Sequence, residues 1–432
     1  MLDRVSLGKL VLAASLAAGA FGCTPTISRE AYLQNATPDS IVVRWRTGTP
    51  SDSVVRYGPA PTTLTSQVSD AAQTTEHEIT LTGLSSNTTY YYSIGTSTAT
   101  LAGGTSDYQF ITQPSVGTPQ EMRIWVLGDP GTGTGAQTAV RDAFYGYTGT
   151  RDPDFWLMLG DNAYSSGTDL EFQLKLFDIY PTMLRKRALW LTLGNHDGGS
   201  ADSATQTGPY YDNFTLPKSG EAGGVASGTE AYYSFDYGNI HFICLDSYET
   251  DRSPGGAMMT WLQADLAAAA SDWTIAFWHH PPYSKGSHNS DTEGALIDMR
   301  QTFLPVLEDY GVDLVLAGHS HSYERSYLLD GHYGTSSTLT PSMILDSGDG
   351  AVDGDGAYVK NGLGAMPHLG AVYAVPGSSG QISGGSLNHP AMVVSLNVLG
   401  SMVLDVAGDR LDAAFVNSLG DVQDHFTIEK QP

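Results

Sequence analysis

The stretch LVLAGHSHSYERS, residues 314–326, decides the fold of the C-terminal part of this chain. Its apolar residues run without interruption to Ala317, which is typical of a strand buried on both faces. A glycine and two histidines, His319 and His321, follow directly. Two histidines one residue apart point to opposite sides of an extended strand, but they can converge on one site in a tight turn. The pattern therefore raises the question of what they bind and where their partners lie.

Five upstream segments share this near-continuous hydrophobicity and predict further buried strands. They are MRIWVLGD, DFWLMLGD, LWLTLGNHD, IHFICLDS and WTIAFWHH, beginning at residues 122, 154, 189, 240 and 273. Amphipathic helical patterns lie between several of them, at 136–147 and 290–311. The second pattern opens with Ser290 and Glu293 in capping-box spacing. Strands that alternate with helices predict an α/β sandwich of mostly parallel sheets.

Most of these strands end in residues that bind metals. The strand-end residues are Asp129, Asp161, Asn195, His196, His279, His280, His319 and His321. Open α/β sheets place their sites outside the carboxyl ends of the strands, so we expect these side chains to meet. Carboxylates, imidazoles and an amide suit Fe, Zn or Mn better than thiolate-preferring metals. The set is larger than one ion needs, which predicts two ions that share a bridging carboxylate.

Paired metals roughly 3.5–4 Å apart can hold a hydroxide and a phosphoryl oxygen together. Hydrolysis of a phosphate ester by a metal-bound hydroxide is the reaction that suits this arrangement best. The same motifs resemble those of the metallophosphoesterases, and within them the purple acid phosphatases. They are GDPG (128–131), GDNAY (160–164), GNHD (194–197), HHP (279–281) and GHSH (318–321). The resemblance implies hydrolysis of small phosphate monoesters by an acid phosphatase.

The resemblance also implies which residues hold the metals. The first ion would be held by Asp129, Asp161, Tyr164 and His321, and the second by Asn195, His279 and His319. Asp161 would bridge the two ions. Tyr164 is typical of the purple acid phosphatases, in which a phenolate binds Fe(III), so the implied cofactor is Fe(III) with Zn, Fe or Mn.

Two further histidines take implied catalytic roles. His196 follows the amide ligand and is expected to face the substrate phosphate or the leaving group. His288 lies nine residues past His279, where the family often has a substrate-facing histidine. The next family position is often a second histidine, but this chain has Asn289 there, so the general acid stays open between His196, His288 and water. The neighbouring His280 is expected to point elsewhere.

The N-terminal half has a different pattern. Residues 27–114 contain short alternating segments separated by turn residues, which predicts an all-β sandwich. The segment LTGLSSNTTYYYSIGT (81–96) resembles the late strands of fibronectin type III domains. The trio EHE (76–78) is interpreted as the exposed start of a strand, and the sandwich is expected to carry no catalytic residue. Residues 115–120 form a linker to an α/β metallophosphoesterase β-sandwich with flanking helices, residues 121–432.

Composition and the N-terminus limit the partners. The 432 residues are 41% hydrophobic and 16% charged, as in a globular protein, and the net charge of −25 opposes binding to nucleic acid.

Arg4 and Lys9 precede an apolar run that ends at Phe21 and is short of the roughly 20 residues of a membrane span. Residues 1–23 therefore predict a signal peptide. Cys23 resembles the lipidated residue of bacterial lipoproteins, which implies export to the cell envelope or, with ordinary cleavage, secretion.

Several alternatives stay open at this point. A phosphodiesterase or nucleotide hydrolase of the same superfamily would carry the same motifs. A non-enzymatic surface lipoprotein that binds a partner through its β-sandwich is a third interpretation. The long polar loop 199–230 is expected to wall the active-site pocket, and the acidic loop 346–356 is either a calcium site or a solvated loop. The second cysteine, Cys244, is interpreted as a core residue.

Overall fold

A computed structural model describes residues 24–432 of the chain. The predicted signal segment and Cys23 lie outside these residues. An N-terminal β-sandwich is followed by a larger domain with two main sheets. Within residues 24–432, no helix has both the length and the apolar character needed to cross a bilayer. Cys244 is buried and has no disulfide partner among the described residues, in agreement with its interpretation as a core residue.

The β-sandwich is built on one long, bent strand. Its strands are β1 (Ile27–Gln34), β2 (Ser40–Gly58), β3 (Ser66–Thr82), β4 (Thr89–Gly95), β5 (Thr100–Gly103) and β6 (Gln109–Ile111). The first half of β2 pairs with β1 and its second half pairs with β4, and an irregularity between Arg46 and Ser53 separates the halves. One strand thereby serves both parts of the sheet, as bulges allow by bending the chain.

The interpretation of EHE as an exposed strand start is wrong, because the trio lies well inside β3 and its histidine is buried. His77 is buried in the sandwich, where its ring stacks on Trp45 with centroids 4.7 Å apart. Its two ring nitrogens lie 2.8 Å from the hydroxyls of Thr47 and Ser53. Two hydroxyl partners satisfy both nitrogens, so the ring fits the core as an aromatic residue.

The larger domain has two seven-stranded sheets. Its strands are β7 (Met122–Leu127), β8 (Phe155–Met158), β9 (Leu189–Leu191), β10 (Tyr233–Tyr237), β11 (Ile240–Cys244), β12 (Trp273–Trp278), β13 (Leu314–Ala317), β14 (Tyr323–Ser326), β15 (Leu328–Leu329), β16 (Ile344–Asp346), β17 (Tyr358–Asn361), β18 (Val372–Pro376), β19 (Met392–Leu396), β20 (Gly400–Ala407), β21 (Arg410–Asn417) and β22 (Val422–Gln431). One sheet has the order β17-β22-β21-β20-β7-β8-β9 and the other β10-β11-β12-β13-β18-β14-β19. All six predicted strands are present and buried.

The expectation of mostly parallel sheets is wrong. Three of the six strand pairings in each sheet are antiparallel. In the first sheet the cause is the C-terminal meander β20–β22, whose short turns can join only antiparallel neighbours. The parallel pairs β7-β8 and β8-β9 join strands that helices or long loops connect.

Helices are short, with two exceptions. They are α1 (Gly135–Thr148), α2 (Asp169–Phe172), α3 (Pro181–Leu184), α4 (Pro209–Asn213), α5 (Ala257–Ala268), α6 (Gly294–Asp298) and α7 (Leu304–Asp309), with π turns at Gln173–Phe177 and Met299–Phe303 and 3-10 turns at Asp197–Gly199, Ser336–Thr338 and Pro341–Met343. The predicted apolar stripe of the segment from α6 to α7 is fully buried. Its predicted capping box does not form, because the side chain of Glu293 binds Asn289 N and the ring of His288 instead.

Buried arginine joins the sandwich to the larger domain. Arg29, on β1, donates to Asp169 Oδ1 at 2.9 Å and to Gln173 Oε1 at 2.8 Å, and it also donates to Asn213. Asn213 ends α4, within the segment 199–230 that was predicted as a loop, so this segment packs on the sandwich. The same segment lines a separate cavity of about 370 Å³, and the seven predicted metal ligands are absent from that cavity's lining.

In the acidic loop 346–356, the Asp349 carboxylate accepts hydrogen bonds from the backbone N–H groups of Ala351 and Asp355 in the same loop.

Candidate metal centre

The strand ends of both sheets bring the predicted ligands together. Asp129 follows β7 and Asp161 follows β8 in one sheet, while His319 follows β13 in the other. These three residues have positive φ values of 55°, 51° and 67°. Left-handed backbone is uncommon for residues with a side chain, and it occurs where the surrounding structure and a functional site require it. The sharp turn redirects each side chain from the strand toward the space between the sheets.

Glycine precedes Asp161 and Asn195 because the turns of the site approach each other closely. A Cβ on Gly160 would lie 2.5 Å from His279 Nδ1, and one on Gly194 would lie 2.1 Å from Asp161 N. Both distances are far inside van der Waals contact. The glycines of the GD and GN motifs are therefore required by packing of one site turn on another.

The first cluster of donor atoms contains Asp129, Tyr164 and His321. Tyr164 Oη lies 3.2 Å from Asp129 Oδ1 and 3.0 Å from His321 Nε2. His321 Nε2 and Asp129 Oδ1 are 3.7 Å apart. Asp161 contributes a carboxylate to the same group, in which one donor atom per residue lies within 4.8 Å of the others. The structure thus brings together all four residues that the resemblance assigns to the first metal.

The second cluster contains Asn195, His279 and His319. His279 Nε2 lies 3.0 Å from Asn195 Oδ1, and His319 Nδ1 lies 3.1 Å from the same oxygen. The two imidazole nitrogens are 3.2 Å apart. Asp161 Oδ1 is 3.5 Å from His279 Nε2, so the Asp161 carboxylate adjoins both clusters.

The electrostatics of both clusters suit cations. Burial raises the pKa of Asp129 well above its ordinary value, and the nearby Asp161 carboxylate adds to the shift. Burial also lowers the pKa of His279 to about 3 and the pKa values of His319 and His321 to about 4. Neutral imidazoles keep a lone pair for coordination, and a cation would offset the repulsion between the two carboxylates. The residues present therefore fit a metal centre.

The adjacent histidines face different partners. His279 Nδ1 donates to Leu159 O at 2.9 Å, which leaves Nε2 for a metal, as second-shell partners of metal-bound histidines do. His280 Nδ1 instead lies 2.9 Å from Ser247 Oγ, and the His280 ring packs 4.3 Å from the ring of His319. The structure thus aims His279 at Asn195, whereas His280 binds Ser247 through Nδ1 but still has a ring nitrogen within 4.8 Å of donor atoms of His279 and His319.

Asp197 is a supporting residue that sequence reasoning did not single out. Its buried carboxylate accepts Asn162 N at 3.0 Å, Ala163 N at 3.1 Å and Gly194 N at 3.0 Å. It ties the turn that carries Asp161 to the turn that carries Asn195. The only signal in the sequence is its place in GNHD, and that motif does not say whether Asp197 binds a metal or backbone amides.

The two predicted catalytic histidines lie beside the clusters. His196 Nδ1 is 2.6 Å from Ser165 O, and its Nε2 is 3.9 Å from Asp161 Oδ2. The ring of His288 packs against the ring of His319 with centroids 3.7 Å apart. His288 Nδ1 is 2.8 Å from Glu293 Oε2, a contact that the sequence did not predict.

Known protein families match both halves of the chain. The calcineurin-like phosphoesterase family matches residues 122–323, and the N-terminal domain of purple acid phosphatases matches residues 29–112. The chain therefore contains a calcineurin-like phosphoesterase domain that follows a domain similar to the N-terminal domain of purple acid phosphatases. The resemblance drawn from the motifs is confirmed, as is the predicted order of a β-sandwich and a metallophosphoesterase domain.

Curated purple acid phosphatases from Arabidopsis thaliana are among the relatives. Purple acid phosphatase 23 is 28% identical over 59% of this chain and 59% of its own length, and purple acid phosphatase 22 is 31% identical over 58% of this chain and 53% of its own length. The chain thus spans between half and two thirds of these relatives. A purple acid phosphatase from yellow lupin seeds shares the fold, with a TM-score of 0.66, 18% identity and coverage of 93% of this chain and 74% of its own.

The similarity to purple acid phosphatases implies a dinuclear metal centre. The two clusters around Asp161 offer His, Asp, Tyr and Asn donors at the place where such a centre would lie. Carboxylate, phenolate and imidazole donors do not favour soft metals, and they can bind several first-row ions.

Proposed function

We propose that this protein hydrolyses phosphate monoesters at a dinuclear centre. The observation that carries the proposal is the position of the Asp161 carboxylate, which adjoins two separate groups of donor atoms. Asp129, Tyr164 and His321 would hold one ion with Asp161, and Asn195, His279 and His319 would hold the other. A pair of ions supplies Lewis-acid polarisation of a phosphoryl oxygen and a potent nucleophile near neutral pH.

His196 is suited to orient the substrate phosphate. Its Nδ1 contact with Ser165 O assigns the ring proton to Nδ1, so Nε2 faces the site next to Asp161. Its side chain is 38% exposed, which leaves it accessible to a substrate from solvent. In its imidazolium form, this ring donates from Nδ1 to the carbonyl and can donate from Nε2 to a phosphoryl oxygen.

His288 is suited to assist the leaving group. Glu293 holds Nδ1 of the ring, which leaves Nε2 free to donate a proton. The ring lies over His319 at the open side of the second cluster. A leaving alkoxide needs a proton that a nitrophenolate does not, so the role of His288 depends on the ester.

A panel of phosphate esters tests the proposed function. We expect monoesters to be hydrolysed faster than diesters. His288→Ala should lower the turnover of an alkyl phosphate by about 10²-fold and that of p-nitrophenyl phosphate far less, since general acids contribute roughly 10²–10⁴-fold. His196→Ala should lower both rates. His368→Ala is a matched control, because this histidine is half exposed and contacts Asp309 and Asp330 instead of the metal clusters. A preference for diesters in the wild type would replace the monoesterase proposal with the phosphodiesterase alternative.

We further propose that Tyr164 binds Fe(III), with Zn, Fe or Mn in the second position. Tyr164 Oη is the hydroxyl that joins Asp129 and His321. The iron-loaded protein should show a broad visible charge-transfer band, and Tyr164→Phe should abolish it while iron stays bound. The measurement is an absorption spectrum recorded beside metal analysis. A colourless, iron-loaded, active wild type would rule out phenolate ligation.

We also propose that the chain is exported and anchored by a lipid on Cys23, because a short apolar run precedes this cysteine. In a bacterial host, the full chain should incorporate radiolabelled palmitate and fractionate with membranes, and Cys23→Ser should do neither. An unlabelled wild type released into the medium would point to ordinary signal cleavage.

A further inference from the structure

A network of hydroxyls fastens the loop that carries His288 to the turn of the last two metal-site histidines. The network spans the loop residues 284–287 and the turn 318–324. Ser284 Oγ lies 2.7 Å from Ser320 Oγ, and Ser287 Oγ accepts the backbone N–H of His321 at 2.9 Å. Both contacts join segments that are more than thirty residues apart in the chain.

Glu324, on β14, lies at the centre of this network. Its side chain is completely buried. It accepts Lys285 N at 3.0 Å and Gly286 N at 3.2 Å, and the hydroxyls of Ser284 and Ser322 also donate to it. These donors are amides and hydroxyls, and no cation pairs with the carboxylate in the part of the chain described.

The loop is tightly packed at Gly286. A Cβ at this position would lie 2.1 Å from Ser322 Oγ, and a Cβ on Gly385 would lie 1.7 Å from Gly286 O. The loop is therefore enclosed on both sides two residues before His288. A buried carboxylate that lacks a cation costs free energy, and an apolar residue of similar volume would avoid that cost. Stability alone therefore does not account for a carboxylate at this position.

We propose that Glu324 is a positioning residue that holds the 284–287 loop, and through it the His288 ring, against His319. The proposal rests on the role of His288 in the proposed function. Glu324 is not one of the proposed metal ligands; it binds the backbone amides of Lys285 and Gly286, close to His288 in the chain. Misplacement of a catalytic group by about 1 Å can cost on the order of 10²-fold in rate, so a defined loop position has a large effect on turnover.

Backbone hydrogen exchange tests the position of the loop independently of activity. Glu324→Gln keeps the volume but replaces one acceptor oxygen with a donor, so amides 285 and 286 should exchange at least ~10-fold faster than in the wild type. Ser284→Ala removes one contact and should give a smaller increase, and it serves as the readout if Glu324→Gln does not fold. Glu308→Gln is the matched control, since Glu308 is an equally buried glutamate bound to Tyr333 and Tyr373, outside this loop. If amides 285 and 286 exchange at the wild-type rate in those of the Glu324→Gln and Ser284→Ala variants that fold, the proposal is overturned.

A double-mutant comparison then links the loop to catalysis. Glu324→Gln should lower alkyl phosphate turnover on the order of 10-fold with normal metal content, and should change p-nitrophenyl phosphate turnover little. In the His288→Ala background the same substitution should cost nothing further, because both changes remove one function. Additive losses would overturn a role through His288. If His288→Ala alone leaves alkyl phosphate turnover intact, the proposed function of His288 fails, while the exchange result still decides whether Glu324 holds the loop.

Discussion

Asp161→Ala is expected to leave the protein without either metal ion and to lower phosphate ester turnover on the order of 10³-fold or more. The Asp161 carboxylate adjoins both donor clusters, with Oδ1 3.5 Å from His279 Nε2 in one and a carboxylate oxygen grouped with Asp129 and His321 in the other. A 10³-fold loss corresponds to about 4 kcal/mol of transition-state stabilisation, which is the scale of metal-ion catalysis. Metal analysis of the purified variant, run beside turnover measurements, checks the expectation.

Two further variants sharpen this result. Asn195→Ala removes a donor from the second cluster only, so about one ion per chain should remain. Asp142→Ala changes an exposed carboxylate that pairs with Arg141 on the surface, and its metal content should equal that of the wild type. An Asp161→Ala protein that retains its full complement of metal would show that this carboxylate does not bridge the two clusters.

Asp313→Ala should cause the largest loss of stability, about 3–5 kcal/mol in the free energy of unfolding. The Asp313 carboxylate is fully buried just before β13, where it binds Lys360 Nζ at 2.5 Å and Lys430 Nζ at 2.8 Å. Lys360 lies on β17 and Lys430 on β22, so one carboxylate joins the two main sheets. Without it, two ammonium groups would stay buried and unpaired. Burial already lowers the pKa of Lys430.

Chemical denaturation followed by tryptophan fluorescence measures this loss, because Trp273 lies 4.6 Å from Lys430 Nζ. Asp412→Ala is the control: Asp412 pairs with Arg410 in a largely exposed ion pair, which is worth about 0–1 kcal/mol. Metal content should not change in either variant, since Asp313 and the proposed ligand His319 lie at opposite ends of β13. Equal stability of the two variants would contradict the role assigned to the buried carboxylate.

The local sequence specifies the strands and most of the centre's chemistry. An apolar run such as the one that ends at Ala317 predicts a strand covered on both faces. The residues after such a strand lie at the edge of the sheet. Asp129, Asp161 and His319 were therefore predictable as neighbours although about 190 positions separate the first from the last. The order of the motifs indicated the family resemblance, and the alternating segments before residue 114 predicted the β-sandwich.

Pairing of distant segments was beyond the reach of sequence patterns. The C-terminal meander adds two antiparallel pairings to the first sheet, because strand direction depends on connections and neighbours and not on local hydrophobicity. Likewise, His77 reads as part of a charged trio but is buried on Trp45, since only the folded sandwich supplies its two hydroxyl partners.

By itself, the sequence determined which residue types end the strands, and so the kind of chemistry this protein offers. The tertiary structure alone decided which atoms face each other: it aimed His279 at Asn195, turned His280 to Ser247, and placed Glu324 behind the loop of His288. The physical reason is one of range. Periodicity and spacing report burial within a single segment, whereas a hydrogen bond between two segments depends on how the whole chain packs.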